Sequence, residues 1–179
     1  LVSKTPANVP FEIPVFKTLD PLATLTKLAM FKREKFSPIV IGITGSQGKT
    51  TTKDLLAAIL AQRGPVLKTW ENQNNELGLA LTLLGLNEKH KYAVLEMGMR
   101  GKGQITELCH VAKPKHGIIT NIGTSHLELL GSQRAICRAK AELLRALPEA
   151  GMAIIPGGDP FYDQLKTHHQ KHLSFGMEP

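Results

Sequence analysis

The sequence has no apolar run near the ~20 residues that a membrane-spanning helix needs. Its first residues do not show the basic-then-apolar pattern of a secretory signal. Cysteine is scarce. Cys109 and Cys137 lie far apart, each within a stretch of helical pattern, so they read as reduced core thiols of a cytosolic protein and not as a disulfide framework. Aromatics are scarce too, with six Phe, two Tyr and one Trp. This bears on the net charge of +7, because basic surfaces that hold single-stranded nucleic acid interleave their cations with stacking rings. Here the Lys and Arg residues are scattered, and attraction of anionic substrates explains the charge without nucleic acid. An Asn-Lys-x-Asp guanine-reading motif and an Asp-x-x-Gly switch motif are both missing, which argues against a GTPase. There is no internal repeat and no low-complexity segment. At 179 residues the chain can bury one good-sized core, or hold one domain and part of another.

What the sequence does have is a strong local signal, the nine residues TGSQGKTTT at 44–52. An apolar run precedes them at 39–43 and a helix-like stretch follows at 53–60. Strand, Gly-rich turn and helix is the context a phosphate-binding loop requires. N–H groups at a helix start have no intrahelical partner, and the helix dipole favours an anion there. Gly45 and Gly48 allow close backbone approach, Lys49 supplies a point charge, and the Thr50 hydroxyl is suited to magnesium. The loop is a variant, since the general template places a glycine where this chain has Ile43.

Beyond Pro38 the pattern alternates. Apolar runs at 39–43, 65–68, 92–97, 117–120 and 152–155 read as buried parallel strands, and 173–175 as a further one. Helical segments fall at 50–62, 76–84, 103–111 and 132–147. This predicts an α/β fold, a P-loop NTPase-like, mostly parallel sheet with helices on both faces. Ahead of it, prolines at 6, 10, 14 and 21 mark an extended arm, and Leu22, Leu25, Leu28 and Ala29 stand at the spacing of a short amphipathic helix. The chain begins at Leu1 and stops at Pro179 just after a strand, which reads as a piece of a longer protein.

In such sheets ligands bind at the carboxyl ends of the strands, and the candidate residues fall there. Glu96 ends the strand at 92–95, where a magnesium ligand belongs; the plain alternative is a surface carboxylate at a strand end. His126 lies in the loop after 117–120, a candidate for metal or phosphate contact, though a lone His is more often structural. Asn74 and Asn75 precede a helix and are either N-caps or reach toward a ligand. Lys140 reads as a solvated helix lysine. His168, His169 and His172 contain an i, i+4 pair that could grip zinc, but a solvated polar helix end is the simpler reading.

Five segments, GITGSQGKTTTKDLL, NQNNELGLALTLL, YAVLEMGMRGKGQI, GIITNIGTSHLELLGS and RAKAELL, resemble the Mur ligases in their order and spacing. The likeness covers roughly residues 38–160. The segment LEMGMRGKGQI discriminates most among family members. The resemblance implies a Mur ligase central domain, an incomplete ATP-binding unit at 38–179, preceded at 1–37 by the end of an N-terminal domain and a linker, with a C-terminal domain missing. It implies ATP-driven amide formation in peptidoglycan precursor synthesis in the cytoplasm, joining D-alanyl-D-alanine to UDP-N-acetylmuramoyl-tripeptide through an acyl phosphate, with ATP and Mg2+ as cofactors. The oligomeric state stays open. Gly45, Ser46, Gln47, Gly48, Lys49, Thr50 and Thr51 would bind the ATP phosphates, together with Asn74. Thr50 and Glu96 would hold a first magnesium and His126 a second. Lys140 matches a lysine that family members carbamylate with CO2, which reverses the reading of it as solvated. The resemblance thus marks Lys49, Glu96, His126, Lys140 and Asn75 as catalytic. The Gly157-Gly158-Asp159-Pro160 turn departs from the family's usual sequence. A chain this short would lack ligase activity alone, since closure around ATP needs the missing parts. The alternatives are a folylpolyglutamate synthase-like ligase of the same superfamily and a non-catalytic ATP-binding module.

Overall fold

The computed structural model of the protein describes residues 2–3 and 15–176. Most of the proline-marked arm, with Pro6, Pro10 and Pro14, lies outside them. A two-residue strand β1 (Val2–Ser3) pairs in parallel with β2 (Phe16–Lys17). Pro21 belongs to helix α1 (Pro21–Lys35) and not to the arm: the Asp20 carboxylate accepts from Ala23 N–H at 3.0 Å and Pro21 fills the first helical position. The last turn of α1 is basic. Lys32 Nζ donates to the Leu86 carbonyl and Arg33 Nε to that of Ala112, each at 2.9 Å. Two cations of α1 thus satisfy carbonyls at the ends of the helices it packs on.

Six strands follow: β3 (Ile39–Thr44), β4 (Val66–Lys68), β5 (Tyr92–Glu96), β6 (His116–Ile119), β7 (Met152–Pro156) and β8 (His172–Phe175). All pair in parallel in the order β4-β5-β3-β6-β7-β8. The helices between them are α2 (Lys49–Ala61), α3 (Glu76–Leu84), α4 (Gln104–Ala112), α5 (Leu127–Leu130), α6 (Gln133–Lys140), α7 (Glu142–Arg145) and α8 (Tyr162–Lys166). Strand and helix positions expected from the alternation are met within one or two residues, except that the helix expected over 132–147 is broken at Ala141. There φ −64° and ψ −10° depart from the helical ψ near −42°, although Ala141 N–H still donates to Cys137 O at 2.8 Å and its carbonyl accepts from Arg145 N–H at 3.1 Å.

Alternate residues of the strands face two separate cores. Ile41, Ile43, Val94 and Ile118 pack against α2 through Ala57, Leu56 and Leu60. Val40, Ala93, Leu95, Ile119, Ala153 and Ile155 pack on the other face with side chains of α1, α3, α4, α6, α7 and α8. The sheet is therefore a three-layer α/β structure, as the alternation predicted. The α2 layer thins toward β8, where Leu173 and Phe175 are exposed. No helix among the described residues is long and apolar enough to cross a membrane.

This topology positions the site. The chain leaves β3 toward the α2 face, while the chains leaving its neighbours β5 and β6 run to helices on the opposite face. Loops that diverge from adjacent strands leave a crevice at their carboxyl ends. Register places Ile43 beside Glu96 and Thr44 beside Ile119, so the loops after β3, β5 and β6 open onto one crevice.

Candidate active site at the carboxyl edge of the sheet

The loop after β3 is shaped by two glycines. Gly48 sits at φ +75° as the N-cap of α2, and Gly45 at φ +153°, where a Cβ would collide with Thr120 Oγ1. The N–H groups of Ser46 and Gln47 both donate to Asn121 Oδ1, at 3.1 and 3.0 Å. Gly123 N–H donates to Ser46 Oγ at 2.8 Å. The loop is thereby stitched to the segment after β6. Thr52 is the first residue of α2 whose N–H bonds back within the turn, to Gly48 O at 2.9 Å. The N–H groups just before it form the helix start that favours an anion. Lys49 Nζ donates to Gly45 O at 3.0 Å, so its ammonium is curled over the loop.

Glu96 ends β5 and is 1% exposed, which excludes the reading of a surface carboxylate. Its Oε2 accepts from Thr50 Oγ1 at 2.8 Å and its Oε1 from Asn74 Nδ2 at 2.7 Å. One carboxylate therefore ties the start of α2 to the approach of α3. Asn75 is a true N-cap: its Oδ1 accepts from Gly78 N–H at 2.9 Å. The Thr69 hydroxyl accepts from Glu96 N–H at 3.0 Å and fixes the end of the strand.

His126 opens α5 in a left-handed conformation, φ 67°. Burial, then the charges of Lys140, Lys49 and Arg100, lower its pKa, so the ring is neutral at pH 7, the form that ligates metals. Lys140 is 2% exposed, which corrects its reading as a solvated lysine: α6 turns this side chain inward. Burial first, and the Lys49 charge second, lower its pKa from 10.5 to about 8. Among the described residues no carboxylate lies within ion-pair distance of it. Two residues on, the buried Glu142 accepts from Gly103 N–H at 2.7 Å, Thr106 N–H at 3.0 Å and Thr106 Oγ1 at 3.1 Å. It caps α4 from across the fold.

A cavity of about 590 Å³ unites these groups, with Lys49, Asn74, Asn75, Arg100, His126 and Lys140 in its wall. The buried Thr44 Oγ1, without a partner among the described residues, also lines it. Ser46, Gln47, Gly48, Thr50, Thr51 and Glu96 are not among the residues that line it. Sequence reasoning missed the clamp Asn121, the cap Glu142 and the wall cation Arg100. Asn121 and Arg100 follow strand ends, which is the signal that could have marked them.

Other candidates lie elsewhere. His168 and His169 follow α8 while His172 begins β8, so the i, i+4 pair does not share a helix. His169 is buried and so is not part of a solvated helix end. No group of three or more His, Cys, Asp or Glu side chains among the described residues is placed to hold a metal. Cys109 and Cys137 are both buried and free, and burial raises their pKa to about 12 and about 11. Asp159, in the divergent turn, accepts from Ile122 N–H at 2.8 Å and braces the loop that carries His126.

The profile of the Mur ligase middle domain matches residues 43–179. The chain is 50% identical over 165 residues to the UDP-N-acetylmuramoyl-tripeptide–D-alanyl-D-alanine ligase of Synechocystis, covering 91% of this chain and 36% of that relative. It therefore spans little more than a third of that protein's length. Among solved structures, MurF from Acinetobacter baumannii superposes with a TM-score of 0.88 at 37% identity, covering 98% of this chain and 39% of the other. MurF ligase from Thermotoga maritima in complex with ADP gives 0.86 at 34% identity, covering 99% and 41%. Fold and these likenesses agree: the chain belongs to the Mur ligase family, and its residues 43–179 match the family's middle domain.

Proposed function

We propose that this chain is the ATP-binding part of a ligase that joins D-alanyl-D-alanine to UDP-N-acetylmuramoyl-tripeptide in the cytoplasm. Residues 38–179 are the greater part of its central domain and residues 1–37 the end of the preceding domain and its linker. The carrying observation is the Thr50–Glu96 hydrogen bond of 2.8 Å, which brings a phosphate loop and a strand-end carboxylate together, beside a cavity walled by Lys49, His126 and Lys140.

A free carboxylate is a poor acyl donor. In the proposed reaction a carboxylate oxygen of the tripeptide attacks the γ-phosphorus of ATP. ADP leaves with the electrons of the broken P–O bond, and an acyl phosphate forms. The dipeptide amine then attacks the acyl carbon, loses a proton, and inorganic phosphate departs. The residues from Gly45 to Thr51 cradle the phosphates at the start of α2, Lys49 neutralises charge on the transferring group, and Asn74 and Asn75 hold the α3 wall.

The donor set fits Mg2+: the Thr50 hydroxyl and Glu96 carboxylate are hard oxygen donors side by side. Magnesium bound there would offset the negative charge of the phosphate oxygens. His126 and Lys140 are the candidates for a second ion, Lys140 after carbamylation, which makes its amine an anion. At pH 7 about one Lys140 amine in ten is neutral and able to add CO2, against about one in three thousand for an ordinary lysine.

The test is phosphate release from ATP and magnesium by the full-length protein with UDP-N-acetylmuramoyl-tripeptide, with and without D-alanyl-D-alanine. Release that needs both substrates and is abolished in Lys49→Ala supports the ligase. Release indifferent to the dipeptide, or none, refutes it and leaves a nucleotide-binding module.

A further inference from the structure

We propose that Arg100 is the residue that receives a carboxylate of the acid substrate. This rests on the ligase reading above and extends it to a residue outside the nucleotide machinery.

The loop between β5 and α4 is held along its length. Gly98 packs so closely on the Asn74 carboxamide that a Cβ would collide with it, and Gly98 N–H donates to Asn74 O at 2.8 Å. Gln104 Oε1 accepts from the N–H groups of both Arg100 and Gly101, at 2.6 and 3.2 Å. Gly103 N–H is taken by Glu142 at 2.7 Å. These bonds fix the backbone and leave one side chain uncommitted. The Arg100 guanidinium has no hydrogen bond or ion pair among the described residues, yet it lines the cavity. Its charge reaches the cluster, because it contributes to the lowered pKa of His126.

The other anion receptor available in that corner is already filled. The start of α4, with its dipole and free N–H groups, would attract a carboxylate. Glu142 occupies it with three bonds. An entering anion on this wall therefore meets Arg100.

The nature of the wall selects the ligand. Phosphates are provided for by the α2 start and Lys49. The same cavity is lined by Leu77, Met99 and Leu108 together with Glu76, and its apolar side chains suit the carbon skeleton of an organic acid better than a polyphosphate. A planar guanidinium matches a carboxylate with two parallel hydrogen bonds, and a lysine at the same place would not.

The experiment measures steady-state phosphate release by the full-length protein for wild type, Arg100→Met and Arg100→Lys at saturating D-alanyl-D-alanine, varying UDP-N-acetylmuramoyl-tripeptide and ATP separately. Thermal unfolding checks that each variant folds. The expected result for Arg100→Met is a KM for the tripeptide raised about tenfold or more, the loss of one charge-assisted contact, with KM for ATP within about twofold. Arg100→Lys recovers only part. A KM for ATP that rises as much or more makes Arg100 a phosphate contact and overturns the proposal. Unchanged constants in a folded variant overturn it as well. A wild-type protein that consumes no ATP with the tripeptide and D-alanyl-D-alanine together overturns both this proposal and the ligase reading, whereas active wild type with an indifferent variant removes Arg100 alone.

Discussion

Replacing Lys140 by Met tests the electrostatics of the cavity in the folded chain itself. Met keeps a similar volume and removes the ammonium. Lys140 is 2% exposed and its pKa falls from 10.5 to about 8, mainly by burial. That gap corresponds to about 3 kcal/mol of charge held where the fold disfavours it. The sign follows from proton counts. Between about pH 8 and 10.5 the unfolded lysine binds more protons than the folded one, so wild-type stability rises with pH in that window. Below pH 8 both forms are protonated and the whole penalty is present.

Lys140→Met should therefore be more stable than wild type by about 3 kcal/mol at pH 7, narrowing to about 1 kcal/mol at pH 10. For a chain of this size the pH 7 difference is about 6–12 °C in Tm. The assay is thermal and urea unfolding of both proteins from pH 6.5 to 10.5, in CO2-free buffer so that no carbamate forms. A variant no more stable than wild type at pH 7 would refute the reasoning. So would a difference that stays constant with pH, because a packing effect does not titrate.

Glu142→Ala should destabilise the chain by about 2–4 kcal/mol in urea unfolding, because it strands three donors at the start of α4; Glu142→Gln should recover part of the loss, and equal losses for both would refute the capping role. Gly98→Ala should push Asn74 away from Glu96 and cost about 1–3 kcal/mol, with a matching fall in phosphate release by the full-length protein; unchanged Tm and release would show that the loop yields freely.

The elements that sequence periodicity revealed are those whose signal is local. A run of five apolar residues ending in Gly-x-x-Gly-Lys defines a strand, a turn and a helix start within one short window, and Glu96 was found because it closes such a run. What sequence could not show are partnerships across long separations. Asn121 clamps N–H groups 74 and 75 residues away, and Glu142 caps a helix start 36 to 39 residues earlier. Lys140 failed locally for the same reason. Beside Arg134, Gln133 and Arg138 it looks like one more residue of a polar face, and only the docking of α6 on the larger core turns it inward.

These long-range bonds decide how the site meets a ligand. Glu96 is already held by Thr50 and Asn74, the phosphate loop by Asn121, and the loop after β5 by Gln104 and Glu142. Little backbone remains to be ordered, so binding loses little entropy on that account. The uncompensated quantity is charge. Lys49, Arg100 and Lys140 line one cavity in which, among the described residues, the exposed Glu76 is the single carboxylate, while Glu96 has both oxygens engaged. An anion entering between them relieves their repulsion and restores proton affinity to Lys140. The carbamate proposed for Lys140 would relieve it too, by turning one of the three cations into an anion. Phosphate and carbamate would thus act on the same excess of positive charge, and the carbamate would need the neutral amine that a nearby phosphate disfavours. On the proposed function, modification of Lys140 would therefore be easier before a nucleotide binds than after.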